Sequence, residues 1–159
     1  MVGRTHAVAG AALGAAVGAL GGPEAQAAAI LVGALSALLP DVDHPGSKAG
    51  RWLWPVAVWL EWGFGHRDSP THTLLFAALC GAALGLLAWP FAGAIGLAAG
   101  ALGGASHLLL DALTKSGVAP FRPFSVRHFA GPFTTGGLGE WLVLLPCVLV
   151  ILMAIGANA

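Results

Sequence analysis

Hydrophobic positions in this chain gather into five runs, and nearly every ionisable side chain falls between them. The runs cover roughly Thr5–Leu20, Ala25–Leu39, Thr71–Trp89, Ala92–Leu113 and Glu140–Ala157. Ala, Leu, Gly and Val runs of this kind predict helices. Several are shorter than the roughly 20 residues that cross a bilayer core, which predicts short or tilted helices whose ends reach protein-lined polar space. Pro23 opens the second run at a favoured first-turn position, and Ser69-Pro70 reads as a cap plus first-turn proline for the third. Pro146 predicts a kink in the fifth. Between the second and third runs, Arg51–Trp62 reads as a short interfacial helix, with Trp52, Trp54, Trp59 and Trp62 as a headgroup-level belt. Gly10, Gly14, Gly18 and Gly22 recur every four residues, as do Gly96, Gly100 and Gly104. Such small faces let helices approach closely in lipid.

Composition agrees with the pattern. The 159 residues are 57% hydrophobic and 9% charged, with a mean hydropathy of +0.83, which places the chain in the membrane class. Its length suits one domain, 1–159: an all-α, polytopic membrane helix bundle of about five transmembrane helices plus the interfacial one. Net charge is zero, and no nucleic acid is expected as a partner. Cys80 and Cys147 lie inside apolar runs and read as small hydrophobes. Arg4, the first run and Ala25-Gln26-Ala27 also have the shape of a secretory signal, but four further apolar runs favour a retained first helix.

If each run crosses once, the start of the first, end of the second, start of the third, end of the fourth and start of the fifth share one face. His6 lies at the first of these, Asp41, Asp43 and His44 at the second, and His66 and His72 at the third. His107 and Asp111 lie at the fourth, and Glu140 at the fifth. Parity alone thus gathers the candidate ligands on one side. The seven basic residues, Arg4, Lys48, Arg51, Arg67, Lys115, Arg122 and Arg127, fall on that same side. The positive-inside rule makes it cytoplasmic, with the N-terminus inside and the C-terminus outside. For a bacterium this is the inner membrane.

Each string has a plainer reading. Asp111 could simply hydrogen-bond His107 one turn away, the Asp41–Pro45 string could be a turn, and Asp68 or Ser69 could cap a helix. Accidents of that kind would not all choose one face, and ionisable groups in membrane segments usually mark function. Mixed His/Asp/Glu ligation without cysteine suits zinc first, then manganese or ferrous iron. The ligands His6, Asp41, Asp43, His66, His72, His107, Asp111 and Glu140 are too many for one tetrahedral ion, so two ions are expected. Asp43 or Glu140 could instead serve as general base. Arg67, with Arg122 and Arg127, favours a phosphate-bearing substrate. HExxH, GxSxG and P-loop patterns are absent.

The strings LLPDVDHPGS, FGHRDSPTHTLL and SHLLLDALTKSGVAPFRPF, with a later GGLGEW, resemble the YdjM-like family of bacterial inner-membrane, metal-dependent hydrolases. The resemblance runs in order from His6 to Glu140 and implies a metal-dependent hydrolase. One departure is the spacing: three residues, Asp68-Ser69-Pro70, separate His66-Arg67 from Thr71-His72, where the family commonly has two. More distantly the chain is similar to zinc-dependent phospholipase C and P1-type nucleases, whose metal-binding His-x-x-x-Asp pair would match His107 and Asp111. Their second pair, His-x-x-x-Glu, would need a histidine where Gly136 stands before Glu140.

The expected function is therefore hydrolysis of a phosphate ester, on a lipid or lipid-linked substrate, at the cytoplasmic face. A metal transporter would need polar groups along a path to the far side, and the far halves of the last three runs carry almost none. A metal-stapled structural protein would need closed coordination.

Overall fold

All five apolar runs are helical in the computed structural model, which describes residues 1–66 and 69–158. In chain order the helices are α1 (Gly3–Gly18), α2 (Gly22–Ser36), α3 (Lys48–Trp52), α4 (Trp54–Phe64), α5 (Leu74–Leu87), α6 (Trp89–Ala112) and α7 (Gly139–Gly156). Two 3-10 turns, Leu39–Asp43 and Pro70–His72, join them. Among the described residues there is no β-strand, only isolated bridges from Thr114 to Phe133 and from Val118 to Phe129 in the segment between α6 and α7.

Two local expectations are corrected. The interfacial helix is two helices, α3 and α4, because Pro55 lacks the N–H that a continuous helix would donate to Arg51. The chain breaks at Leu53 (φ −114°, ψ 42°) and restarts with Pro55 in the first turn of α4. Ser69 caps the 3-10 turn rather than the helix: its Oγ accepts from Thr71 N. The cap of α5 is Thr73, whose Oγ1 accepts from Phe76 N at 3.2 Å.

α2 with the turn that follows it (Gly22–Asp43), α6 and α7 are each long and apolar enough to cross a membrane. α1 has 16 residues and α5 has 14. α1 and α2 run antiparallel, with Gly10 against Gly33, Gly14 against Ala29 and Gly18 against Gln26. α5 and α6 repeat the device through Gly81 against Gly100 and Gly85 against Gly96. Gly33 also meets Gly103, so α6 packs on the α1–α2 pair. At Gly10, Gly33, Gly100 and Gly103 a Cβ would fall inside contact distance of a facing backbone carbonyl. α7 lies on α1, held at its far end by Gln26, which donates to the carbonyls of Ala15 (3.2 Å) and Ala154 (2.7 Å).

The interior is small or polar and the exterior large and apolar. Ala29, Val32 and Ala99 form the central core, whereas Leu20, Leu79, Leu87, Leu142, Leu149 and Met153 are exposed. Water would reject that distribution. Lipid accepts it, because there helices associate through close packing and not through burial of large hydrophobes.

Gly100→Leu should therefore separate α5 from α6. Thermal unfolding in detergent is expected to show a loss of about 1–3 kcal/mol, typical of overpacking. Gly63→Ala, at a position with open space around it, should cost nothing.

Candidate metal centre

The antiparallel pairs set the start of α1 beside the end of α2, and the start of α5 beside the end of α6. His6 comes from the first turns of α1, His107 and Asp111 from the last turns of α6. The 3-10 turn Leu39–Asp43, opened by Pro40, carries Asp41 and Asp43, and the turn Pro70–His72 ends on His72. His66 follows α4.

Four imidazole and carboxylate groups point at one small volume. His72 Nε2 and His107 Nε2 are 3.4 Å apart. Asp41 Oδ1 lies 3.7 Å from the first, 3.6 Å from the second and 3.9 Å from His66 Nε2. Asp111 Oδ2 is 3.4 Å from His107 Nε2 and 3.7 Å from His72 Nε2. These separations exceed good hydrogen-bond lengths. They match the edges of a coordination sphere, about 3.3 Å for a tetrahedral ion with ligands about 2.0–2.1 Å away.

The opposite ring nitrogens are occupied, which leaves the Nε2 atoms for an ion. His107 Nδ1 donates to the Ala37 carbonyl at 2.8 Å, satisfying one of the carbonyls orphaned at the end of α2. His66 Nδ1 and His72 Nδ1 donate to the two oxygens of Asp43, at 2.8 and 3.0 Å. A carboxylate behind a histidine fixes its tautomer and aims its free nitrogen. Asp43, His66 and His72 are also close enough to form a ligand group of their own. Their spacings, however, are hydrogen-bond lengths, which makes Asp43 an orienting group.

A further group comprises His6, His107 and Asp111. The His6 ring stacks on His107, centroids 3.8 Å apart. Its Nε2 is 3.4 Å from Asp111 Oδ1, and its buried Nδ1 has no hydrogen-bond partner among the described residues. Asp111 thus turns one oxygen toward His6 and the other toward His72 and His107. The Met1 amino nitrogen also meets Asp111 Oδ1, at 2.6 Å. Two nitrogens facing each other at 3.4 Å, a buried ring nitrogen without a partner, and a purely N/O donor set fit one or two first-row divalent ions.

Other candidates take different places. Glu140 lies in none of the ligand groups. Its carboxylate accepts from Thr5 Oγ1, Val2 N (3.0 Å) and Gly136 N (2.7 Å), joining the starts of α1 and α7. Its position in the first turn of α7 was the available signal, since carboxylates favour helix N-termini. Arg67 lies outside the described residues. Arg122 lines an apolar groove with Phe64, Phe76 and Leu79, and the Arg127 guanidinium sits 5.1 Å above the Phe129 ring. His44, which the ligand reading passed over, donates from Nδ1 to Glu61 Oε1 at 2.8 Å. A separation of 17 positions along the chain hid that pair.

Among the described residues, the centre meets open space at Asp41 and His66. Asp41 and His66 border a cavity of about 730 Å³, while His6, His72, His107, Asp43 and Asp111 are buried.

The model of the YdjM inner membrane protein family matches residues 1–158. The chain belongs to the YdjM inner membrane protein family. It is 34% identical to YvsG of Bacillus subtilis (strain 168) over 148 residues, 91% of this chain and 88% of that one. It is 35% identical to inner membrane protein YdjM of Escherichia coli (strain K12) over 123 residues, 76% of this chain. The Shigella flexneri YdjM gives the same figures, and the match spans 62% of either protein's length. No solved structure matches the chain. As a YdjM-family member it is an inner membrane protein with a buried His/Asp cluster able to hold metal.

A metal held by this cluster would compete with protons for the same nitrogens. Burial pulls the pKa of His72 down, but the nearby Asp41 carboxylate and the hydrogen bond to Asp43 outweigh that and raise it from 6.5 to about 9. In metal-free protein a raised histidine stabilises the fold fully below pH 6.5, and the contribution fades as pH climbs through about 9. Ligation requires the neutral ring, so metal retention runs the other way. Chelator-treated protein should lose thermal stability between pH 6.5 and 9, while elemental analysis of untreated protein shows divalent metal rising over the same window. Stability of the chelated form that climbs with pH would contradict this.

Proposed function

We propose that this chain is a membrane-bound, metal-dependent hydrolase that cleaves a phosphate ester of a lipid or lipid-linked substrate at the cytoplasmic face. The observation that carries the reading is the convergence of the Nε2 atoms of His66, His72 and His107 on Asp41 Oδ1, with Asp111 Oδ2 facing two of the same nitrogens, at coordination-edge distances. Asp41, His72, His107 and Asp111 would hold one ion, with His66 beside it. His6 and the other oxygen of Asp111 would hold a second. Zinc suits this donor set best, with manganese or iron as alternatives. Such ions, when bound, polarise a phosphoryl oxygen and lower the pKa of water.

The chain's own residues do the rest. Asp43 aims His66 and His72, the Ala37 carbonyl aims His107, and burial of His6, His72 and Asp111 keeps bulk water from all sides but one. Both Asp43 oxygens already accept from imidazoles, and Glu140 accepts from three donors. Neither carboxylate is therefore placed to act as general base, and Asp41, at the open side, is the carboxylate nearest substrate. The basic residues at the ligand-bearing ends of the helices support a cytoplasmic site and an outside C-terminus.

Two other readings fit less well. A structural staple calls for closed coordination, yet Asp41 and His66 keep 14% and 30% side-chain exposure. A transporter calls for polar groups toward the far side, where the buried Gln26 is already spent on two backbone carbonyls.

With zinc added, the purified protein should hydrolyse a phosphodiester or a phospholipid. Asp41→Asn should abolish both metal retention and turnover. Arg67→Ala should keep its metal and lose roughly 10²-fold in turnover, the effect of removing a charged transition-state contact. A protein that hydrolyses no phosphoester would end the enzyme reading. Orientation is checked separately: a reporter fused after residue 159 should work only if it functions outside the cytoplasm, and a cytoplasm-only reporter active there would leave an even number of crossings.

A further inference from the structure

The cavity over the centre carries charge that the ligand set does not use. Its metal-side wall is Asp41 and His66, and its other walls include Arg4 from α1 and Lys48 and Arg51 from α3. All three cations are exposed, and none forms an ion pair among the described residues. Asp41, itself a ligand, is the one carboxylate among the lining residues. Like charges gathered around a concavity focus potential toward an anion.

The cations are also tied mechanically to the metal. Ser47 Oγ donates to the Asp41 carbonyl at 2.6 Å and accepts from Gly50 N at 2.7 Å. Gly50 packs directly on the His44 carbonyl, with no room for a Cβ. The backbone bearing Lys48 and Arg51 is thus pinned to the turn that presents Asp41. Arg4 sits two residues before His6 on the same helix.

We propose that this cavity is the substrate's phosphate pocket, with Arg4, Lys48 and Arg51 holding its anionic oxygens against the open side of the metal centre. The inference rests on the hydrolase reading and deepens it. Arginine grips phosphate in a planar fork, and lysine adds a point charge. The recognised group is a phosphate ester anion, arriving either on a lipid headgroup or on a soluble ester.

The test uses the full-length, zinc-loaded protein in detergent, with inorganic phosphate as the first probe and binding read by calorimetry. Arg4→Gln, Lys48→Gln and Arg51→Gln should each keep full metal content and weaken phosphate binding about tenfold, the scale of one charged hydrogen bond. Arg51→Lys should recover part of the loss. Variants that bind phosphate like the wild type, or a wild type that binds none, would overturn the pocket. Ester hydrolysis by the wild type, measured in parallel, distinguishes that failure from failure of the hydrolase reading. Glycerol phosphate and phosphatidylcholine vesicles doped with phosphatidic acid then separate the sources. Losses with both, or with glycerol phosphate alone, support the pocket. A loss confined to vesicles assigns the pocket to a lipid headgroup, and no loss with either probe overturns it.

Discussion

Moving a carboxylate or an imidazolium out of water costs several kcal/mol per ion, even after the surroundings relax. His6, His72, His107, Asp43 and Asp111 are all withdrawn from water, in a protein whose exterior is largely hydrocarbon. Each must therefore find its compensation among the others, and the structure around them reads as the means of bringing them together. Asp43 faces two imidazoles, His107 takes a helix-terminal carbonyl, and Asp111 spans the two halves of the cluster. The Nε2 atoms of His66, His72 and His107 are left facing Asp41 Oδ1.

That arrangement depends on how closely the helices approach. Large side chains between α1 and α2, or α5 and α6, would hold the helix ends too far apart for these side chains to converge. Glycine at Gly10, Gly33, Gly100 and Gly103 lets backbone meet backbone, and lipid exacts little for the missing hydrophobic bulk. The same economy explains why the largest fully buried side chains are histidines and not leucines. Gln26 and Glu140 serve α7 in a related way, bonding to backbone groups at opposite ends of the helix that packs beside it.

Chemistry and access divide between two layers. The buried layer aims ligands; the exposed layer of Arg4, Lys48, Arg51 and the His44–Glu61 pair borders the way in. Both are anchored on the short turn between α2 and α3, where Pro40 sets the backbone and Ser47 ties the turn to the following helix. This irregular segment, at the end of a membrane-length helix, thereby ties the backbone of Lys48 and Arg51 to Asp41.

The apolar runs, their helical character and the crowding of ligands at one set of ends were legible in the sequence. Helix formation depends on local composition and on proline and glycine near each residue, and parity then needs only counting. Even there the details shifted by a turn: Thr73 and not Ser69 caps α5, and Pro55 splits the interfacial helix. Only the tertiary structure separated Asp41 from Asp43, turned Glu140 to backbone donors and placed Arg4, Lys48 and Arg51 around the opening. The reason is one of scale. A 2.8 Å hydrogen bond and a 3.6 Å ligand edge differ by less than an ångström, and that difference is set by how helices distant in sequence pack, which no spacing along the chain encodes.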